Sequence, residues 1–289
     1  MIIQDLVAIG SKTTMRIGGK ARYFAELKTK SDVEEAVKFS QDKKIPLIIL
    51  GGGSNTIFAD GVIEALVVRV THDTTTIDGN SVTVGTGKIL ASLINECAEK
   101  NLDLSPLTGI PGMLGGALVG NAGQGAGGIW LDTFVTSVTF YHNAQWQTFS
   151  RDECDFHYRE SIFKKMSPAP ILWEARLKIP SRPMVDVKNT IETLIKKRIE
   201  TQPHLRTAGS CFKSLADRTP AWKLIDAAGL RGTQIGDVQI AEKHANFLLN
   251  LGKANFTDAV KMVELVRERV PEDLDVEMRF IDERGSMVF

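Results

Sequence analysis

The 289-residue sequence predicts an α+β protein in three lobes. Short β-rich runs alternate with apolar residues at helical spacing, glycine-dense loops interrupt them, and proline-bearing breaks fall at 180–183 and 201–203.

In the first lobe, residues 1–70, Ser31-Asp32-Val33-Glu34 reads as a capping box opening a helix. Val33, Ala36, Val37 and Phe39 follow at roughly helical spacing, and Pro46 stops the helix. Residues 47–50 predict a short buried strand running into Gly51-Gly52-Gly53-Ser54-Asn55. The run 65–70 completes a β-α-β-type unit.

The second lobe, 71–200, brings a strand at 81–85 and a helix with Ile89, Leu90, Leu93, Ile94 and Cys97 on one face. Residues 107–128 are crowded with glycine, so the backbone there turns tightly or approaches something closely. Residues 134–141 and 145–149, joined by His142-Asn143-Ala144, predict a hairpin. The stretch 171–179 alternates as a half-buried strand, giving a mixed or antiparallel sheet. After Pro180-Ser181-Arg182-Pro183, a helix carrying Ile191, Leu194, Ile195 and Ile199 leads to Thr201-Gln202-Pro203. A third lobe at 201–289 begins there, and Ala259, Val260, Met262, Val263 and Val266 outline an amphipathic helix ended by Pro271.

Composition narrows the function. Lysine plus arginine and aspartate plus glutamate balance at 35 each, so no overall field favours a nucleic acid or a membrane surface. An anionic ligand is left to local dipoles and a few placed cations. Cys97, Cys154 and Cys211 form no CxxC and the five histidines are scattered, so no metal site is expected and free thiols in a reducing compartment are. No leader pattern and no membrane-length apolar run is present, which predicts a cytoplasmic protein.

Two segments suit a phosphate. In Gly51-Gly52-Gly53-Ser54-Asn55, missing side chains let consecutive backbone N–H groups converge on an anion, and Ser54 and Asn55 add donors. In Gly109-Ile110-Pro111-Gly112-Met113-Leu114-Gly115-Gly116 the proline fixes one φ and the glycines allow close approach. Glycines that merely mark turns are the alternative for either loop alone. Neither fits G-x-G-x-x-G after a first strand or G-x-x-x-x-G-K-[ST], and two separated loops suit a long ligand such as a dinucleotide.

Ser210, in Ala208-Gly209-Ser210-Cys211-Phe212-Lys213, reads as a serine on a glycine turn with no basic partner nearby. It is a poor activated nucleophile and a better fixed proton donor to a developing carbanion, or else an ordinary turn serine. Cys211 beside it reads as a small packed hydrophobe.

The ordered set of short matches resembles the UDP-N-acetylenolpyruvoylglucosamine reductase family. It comprises Thr14 to Ala21, Leu50 to Asn55, Gly109-Ile110-Pro111-Gly112 with Gly115-Gly116, Asn121-Ala122-Gly123 and Tyr158-Arg159. It continues through Thr201-Gln202-Pro203, Gly209-Ser210, Phe212-Lys213, Glu242 to Phe247 and Glu277 to Ile281. The length and the single Tyr158-Arg159 block resemble the family's shorter type, which lacks an inserted tyrosine-bearing loop.

The resemblance implies a vanillyl-alcohol-oxidase-type FAD-binding fold, two α+β lobes around FAD, with a C-terminal α+β lobe over the substrate. It implies an NADPH-dependent reduction of the enolpyruvyl ether of UDP-N-acetylglucosamine enolpyruvate to UDP-N-acetylmuramate, in peptidoglycan precursor synthesis; a monomer or weak dimer is expected. Gly51, Gly52, Gly53, Ser54, Asn55, Gly109, Ile110, Pro111, Gly112, Gly115, Gly116 and Asn121 are then the cofactor-binding candidates. Arg159 matches the catalytic arginine, whose planar, permanent charge holds a carboxylate bidentately and favours its enolate form; a surface ion pair is the alternative. Ser210 matches the proton donor. Glu277 matches the catalytic glutamate, which would stay protonated if buried against Arg159 and the carboxylate, against the alternative of an exposed strand carboxylate. Tyr158, Lys213, His244 and Asn246 match substrate or NADPH contacts, with a structural role as the other reading of His244.

Two departures stand out. Ser214-Leu215 replaces the family's usual Asn-Pro, which puts one substrate contact in doubt. The run Gln124-Gly125-Ala126-Gly127-Gly128-Ile129-Trp130 lacks the acidic residue common a few positions after Asn121-Ala122-Gly123. Another FAD oxidoreductase of the same fold acting on a small alcohol or lactone, or a non-catalytic UDP-sugar or flavin sensor, is the alternative function.

Overall fold

The computed structural model describes residues 1–123 and 128–289, and the chain divides into two units built from separated stretches. One holds Met1–Ile2, Ala25–Lys43 and Val68–Arg198; the other holds Ile3–Phe24, Lys44–Val67 and Ile199–Phe289.

The first unit is organised by an antiparallel sheet of five strands in the order Thr75–Asp78, Ser81–Gly85, Ile171–Lys178, Val135–His142, Gln145–Ser150. The expected hairpin is present. Its two central residues, Asn143 and Ala144, both take positive φ (49° and 60°), the geometry whose twist matches paired strands. Alternation sends Ala175 and Leu177, and a register shift between Leu172 and Glu174 sends Leu172, into a core with Val82, Val84, Val138 and Phe140. The helix Leu90–Glu99 adds Leu90, Leu93, Ile94 and Cys97 to that core. Ile89, expected on the same face, precedes the helix and is exposed, because its φ of −65° and ψ of 127° are those of an extended residue.

Two other helices differ from the sequence reading. Lys30–Lys43 is capped by Thr29 and Asp32, not by Ser31 and Glu34. The Asp32 carboxylate accepts from the Lys28 and Thr29 amides at 2.9 Å each, and the Thr29 hydroxyl accepts from the Asp32 amide at 3.1 Å. The box moves two residues earlier because Thr29 supplies both the hydroxyl and the carbonyl that starts the helix. In Met184–Thr201 only Val187 and Ile191 are buried; Ile195 and Ile199 are exposed, so the apolar stripe ends half-way along.

The second unit contains an antiparallel sheet ordered Arg206–Ser210, Phe247–Asn250, Val238–Ile240, Gln234–Ile235. The helix Phe256–Arg269 buries Ala259, Met262, Val263 and Val266, as its spacing predicts, and Asn255 caps it by accepting from the Asp258 amide at 2.8 Å. The strand Thr56–Phe58 pairs in parallel with Arg279–Ile281. A further sheet takes Ile3–Ala8, Lys20–Leu27, Val62–Val70 and Leu47–Ile49 in that order. Among the described residues, no helix is long and apolar enough to cross a membrane.

Candidate active site

In the second unit, the Gly51–Asn55 loop follows the strand Leu47–Ile49. Gly53 has φ +67°, and a Cβ there would sit 2.7 Å from Thr13 Cα and collide with the Lys12 carbonyl, so only glycine fits. The Gly53 carbonyl accepts from the Thr14 amide at 3.0 Å, and the Thr14 hydroxyl also donates to Thr207 O at 2.7 Å. These bonds explain why the Thr14-containing motif and the glycine loop occur together. Gly51, Gly52, Ser54 and Asn55 remain partly accessible.

Ser210 closes the strand Arg206–Ser210 rather than sitting on a free turn. The pairing with Phe247–Asn250 shifts register between Thr207 and Ser210, where Gly209 takes φ +80°. The bulge re-aims the serine, a role glycine fills without steric cost. Glu277 lies just before Arg279–Ile281, and its amide donates to Cys211 O at 2.8 Å. The Asn55 side chain donates to Glu277 O at 3.0 Å, and the Arg279 amide donates to Asn55 O at 3.0 Å. Thus Ser210, Glu277 and the Gly51–Asn55 loop are stitched together by backbone.

The remaining candidates in this unit divide. Asn246, 6% exposed, has both ends of its amide on Phe212: it accepts from the Phe212 N–H at 2.9 Å and donates to Phe212 O at 2.8 Å. Lys213 lies with Nζ 4.0 Å from Asp275 and its amide on Asp275 O. His244 packs edge-on against Phe247 at 4.8 Å and near Trp222 at 6.0 Å, and its Nδ1 accepts from the Asn246 amide at 3.3 Å. Burial, helped by the charge of Arg231, pulls its pKa below the ordinary imidazole value, so the ring is neutral at pH 7. Leu215 and Thr219 close a turn just after Ser214.

In the first unit, the 109–116 loop is tied to the strand end at Gly85. The Leu114 and Gly115 amides donate to Lys88 O and Thr86 O at 2.9 Å, and the Leu90 amide donates to Gly112 O at 3.1 Å. Ile110, Pro111 and Gly116 stay partly or fully accessible. Arg198, which sequence reasoning passed over, packs directly against Gly109 and donates to Thr108 O at 3.3 Å. Burial and then the neighbouring charge of Arg159 depress the Arg198 pKa. Two guanidiniums that repel each other beside a glycine loop are relieved by an anion, so this donor set fits a diphosphate or carboxylate. No sequence signal singled out Arg198, which lies in a helix of ordinary charged spacing.

Tyr158 and Arg159 are the two central residues of a tight turn closed by reciprocal backbone bonds between His157 and Glu160, at 3.0 and 3.2 Å. Arg159 has φ +57° and its guanidinium carbon lies 5.3 Å from the Trp130 ring centroid; the Tyr158 ring meets the same indole edge-on at 5.4 Å. Asn121, 3% exposed, donates to His157 O at 3.0 Å and accepts from the Asp132 amide at 3.1 Å. Gln124 to Gly127, most of the loop expected to depart from the family pattern, lie outside the described residues.

Three comparisons bear on this geometry. Residues 202–280 match the UDP-N-acetylenolpyruvoylglucosamine reductase C-terminal domain model, and residues 21–144 match an FAD binding domain model. The UDP-N-acetylenolpyruvoylglucosamine reductase of Agathobacter rectalis is 34% identical, over 92% of this chain and 88% of its own. That of Aquifex aeolicus is 33% identical over 99% of this chain and 97% of its own. The chain belongs to the UDP-N-acetylenolpyruvoylglucosamine reductase family. The crystal structure of the Thermus caldophilus reductase superposes with a TM-score of 0.83 at 30% identity, covering 96% of this chain and 99% of that one. The resemblance read from ordered short motifs therefore holds, and with it the expected α+β FAD-binding fold with an added C-terminal lobe. Among the described residues of this reductase-family chain, no group of three or more His, Cys, Asp and Glu side chains is arranged to hold a metal ion.

Proposed function

We infer that the protein is an FAD-dependent, NADPH-oxidising reductase that converts UDP-N-acetylglucosamine enolpyruvate to UDP-N-acetylmuramate in peptidoglycan precursor synthesis. The observation that carries this reading is the backbone rung from the Glu277 amide to Cys211 O, which puts a carboxyl group on the segment flanking Ser210. Family membership over more than nine-tenths of the chain supplies the substrate class.

FAD, when bound, supplies the hydride carrier between NADPH and the alkene. The protein's residues do the rest. Arg159 holds the substrate carboxylate, which gains charge as the double bond is reduced. Ser210 Oγ gives its proton to the carbon next to that carboxylate, which it can do in spite of its high intrinsic pKa because the acceptor is a stronger base. Glu277 hydrogen-bonds the enolate. The Gly51–Asn55 and 109–116 loops hold the cofactor's diphosphate, and Tyr158, Lys213 and His244 border the sugar nucleotide. Within this reading the lobes run 1–70, 71–200 and 201–289, supported at the last boundary by the family model beginning at 202. A cytoplasmic enzyme, monomeric or weakly dimeric, acting upstream of cell-wall growth, cell shape and division, completes the proposal.

Purified protein should be yellow, be bleached by NADPH and regain colour only on addition of the enolpyruvyl sugar nucleotide. Rapid recovery of colour in air without that substrate marks an oxidase instead, and a colourless preparation refutes the cofactor. Arg159→Ala, Ser210→Ala and Glu277→Ala should each lower turnover by about 10²–10⁴-fold while NADPH still bleaches the flavin. Wild-type turnover in any one of them removes that residue from the set.

A further inference from the structure

The catalytic reading of Arg159 leaves open how a long, four-torsion side chain is held ready. Its backbone sits at φ +57°, a conformation a non-glycine residue keeps only where its surroundings over-determine it. Those surroundings are unusually complete. On one flank the buried Asn121 amide donates to His157 O, the carbonyl that also accepts from the Glu160 amide to close the turn. On the other flank Ser161, fully buried, donates its hydroxyl to Val119 O at 2.8 Å. Asn121 and Val119 belong to the same short stretch at the end of the helix Leu114–Val119, so both sides of the turn hang from one support. Beyond the backbone, the Trp130 indole lies along the guanidinium at 5.3 Å and against Tyr158 at 5.4 Å.

Resting on the catalytic reading of Arg159, we propose that Asn121, Ser161 and Trp130 are positioning residues: the first two set the height and tilt of the turn, and the indole sets the direction of the guanidinium. None of the three needs to touch substrate. Asn121, expected from its motif as a cofactor ligand, instead acts through the His157 carbonyl. A displacement of about 1 Å in a group that must meet a carboxylate bidentately costs on the order of 100-fold in rate.

Ser161→Ala, Asn121→Asp and Trp130→Leu, as FAD-loaded enzymes, are to be compared with Arg159→Ala and with Ser161→Ala and Trp130→Leu in the Arg159→Ala background. Flavin bleaching by NADPH, the flavin absorbance change on titrating oxidised enzyme with substrate, and kcat/KM for substrate reduction are measured for each. The single variants should lose about 10- to 100-fold in kcat/KM and bind substrate more weakly, with bleaching within about twofold of wild type. In the Arg159→Ala background the same changes should cost less than about twofold, since there is no guanidinium left to misplace. Full activity in all three single variants, or an undiminished loss in the Arg159→Ala background, overturns the proposal while leaving Arg159 catalytic. Full activity of Arg159→Ala itself overturns both. Trp130 is only half-buried, so its Trp130→Leu and Trp130→Phe pair reads the same outcome if the buried substitutions do not fold, with Trp130→Phe expected to restore most of the rate.

Discussion

Asn246 shows how a motif residue can brace the chain beside a candidate site. Its two buried bonds fix both the donor and the acceptor of Phe212, two residues past Ser210. Asn246→Ala strands a buried N–H and a buried C=O, and should cost about 2–4 kcal/mol of unfolding free energy, read from urea midpoints. Sequence reasoning found this residue through its motif but could not tell a bracket from a binding contact, because both uses favour a short amide. Arg198 and Ser161 escaped it for the opposite reason. Their importance comes from what lies across the fold, Gly109 and the Val119 carbonyl, and neither neighbour is near them in sequence.

At the scale of elements, local chemistry was readable wherever it was strong. The Asn143-Ala144 hairpin and the Phe256–Arg269 helix follow from turn residues and 3.6-residue spacing. The cap of Lys30–Lys43 was misread by two residues because two overlapping Ser/Thr-to-acid patterns compete there, and only the backbone decides between them. The element start at Ser105–Leu107 offers a pH test. Asp103 loses solvation by burial, but Ser105 and Arg182 more than offset it and hold its pKa below the ordinary 3.8. A lowered folded-state pKa means stability that is present above 3.8 and lost as pH falls through the folded value. Asp103→Asn should therefore unfold about 1 kcal/mol more easily at pH 7. The difference from wild type should narrow as pH falls from 3.8 through the folded-state value; a constant difference across that range would show the carboxylate charge to be irrelevant. In the glycine loop, Gly53→Ala combines positive φ with a collision against Lys12 and Thr13. About 1–3 kcal/mol of destabilisation and loss of bound flavin are expected.

For the molecule as a whole, the three cysteines report on closure of the two cores. All are buried; burial pushes Cys97 and Cys154 up to about 12 and Cys211 higher still. Native protein should show no thiol reacting with an aromatic disulfide reagent at pH 8, and unfolded protein should show three. One fast-reacting thiol in the native state would mean a core less closed than described. Contiguous stretches were all that the sequence reading could delimit, and the joining of residues 3–24 and 44–67 with 199–289 into one unit was not legible. Periodicity within a window carries no information about a partner strand at the other end of the chain. That long-range joining has an outcome during synthesis. Asn55 and Glu277 are bonded across 222 positions, and Thr56–Phe58 finds its parallel neighbour in Arg279–Ile281. A nascent chain therefore carries its first glycine loop unfinished until residues 277–281, more than two hundred positions later, have been made.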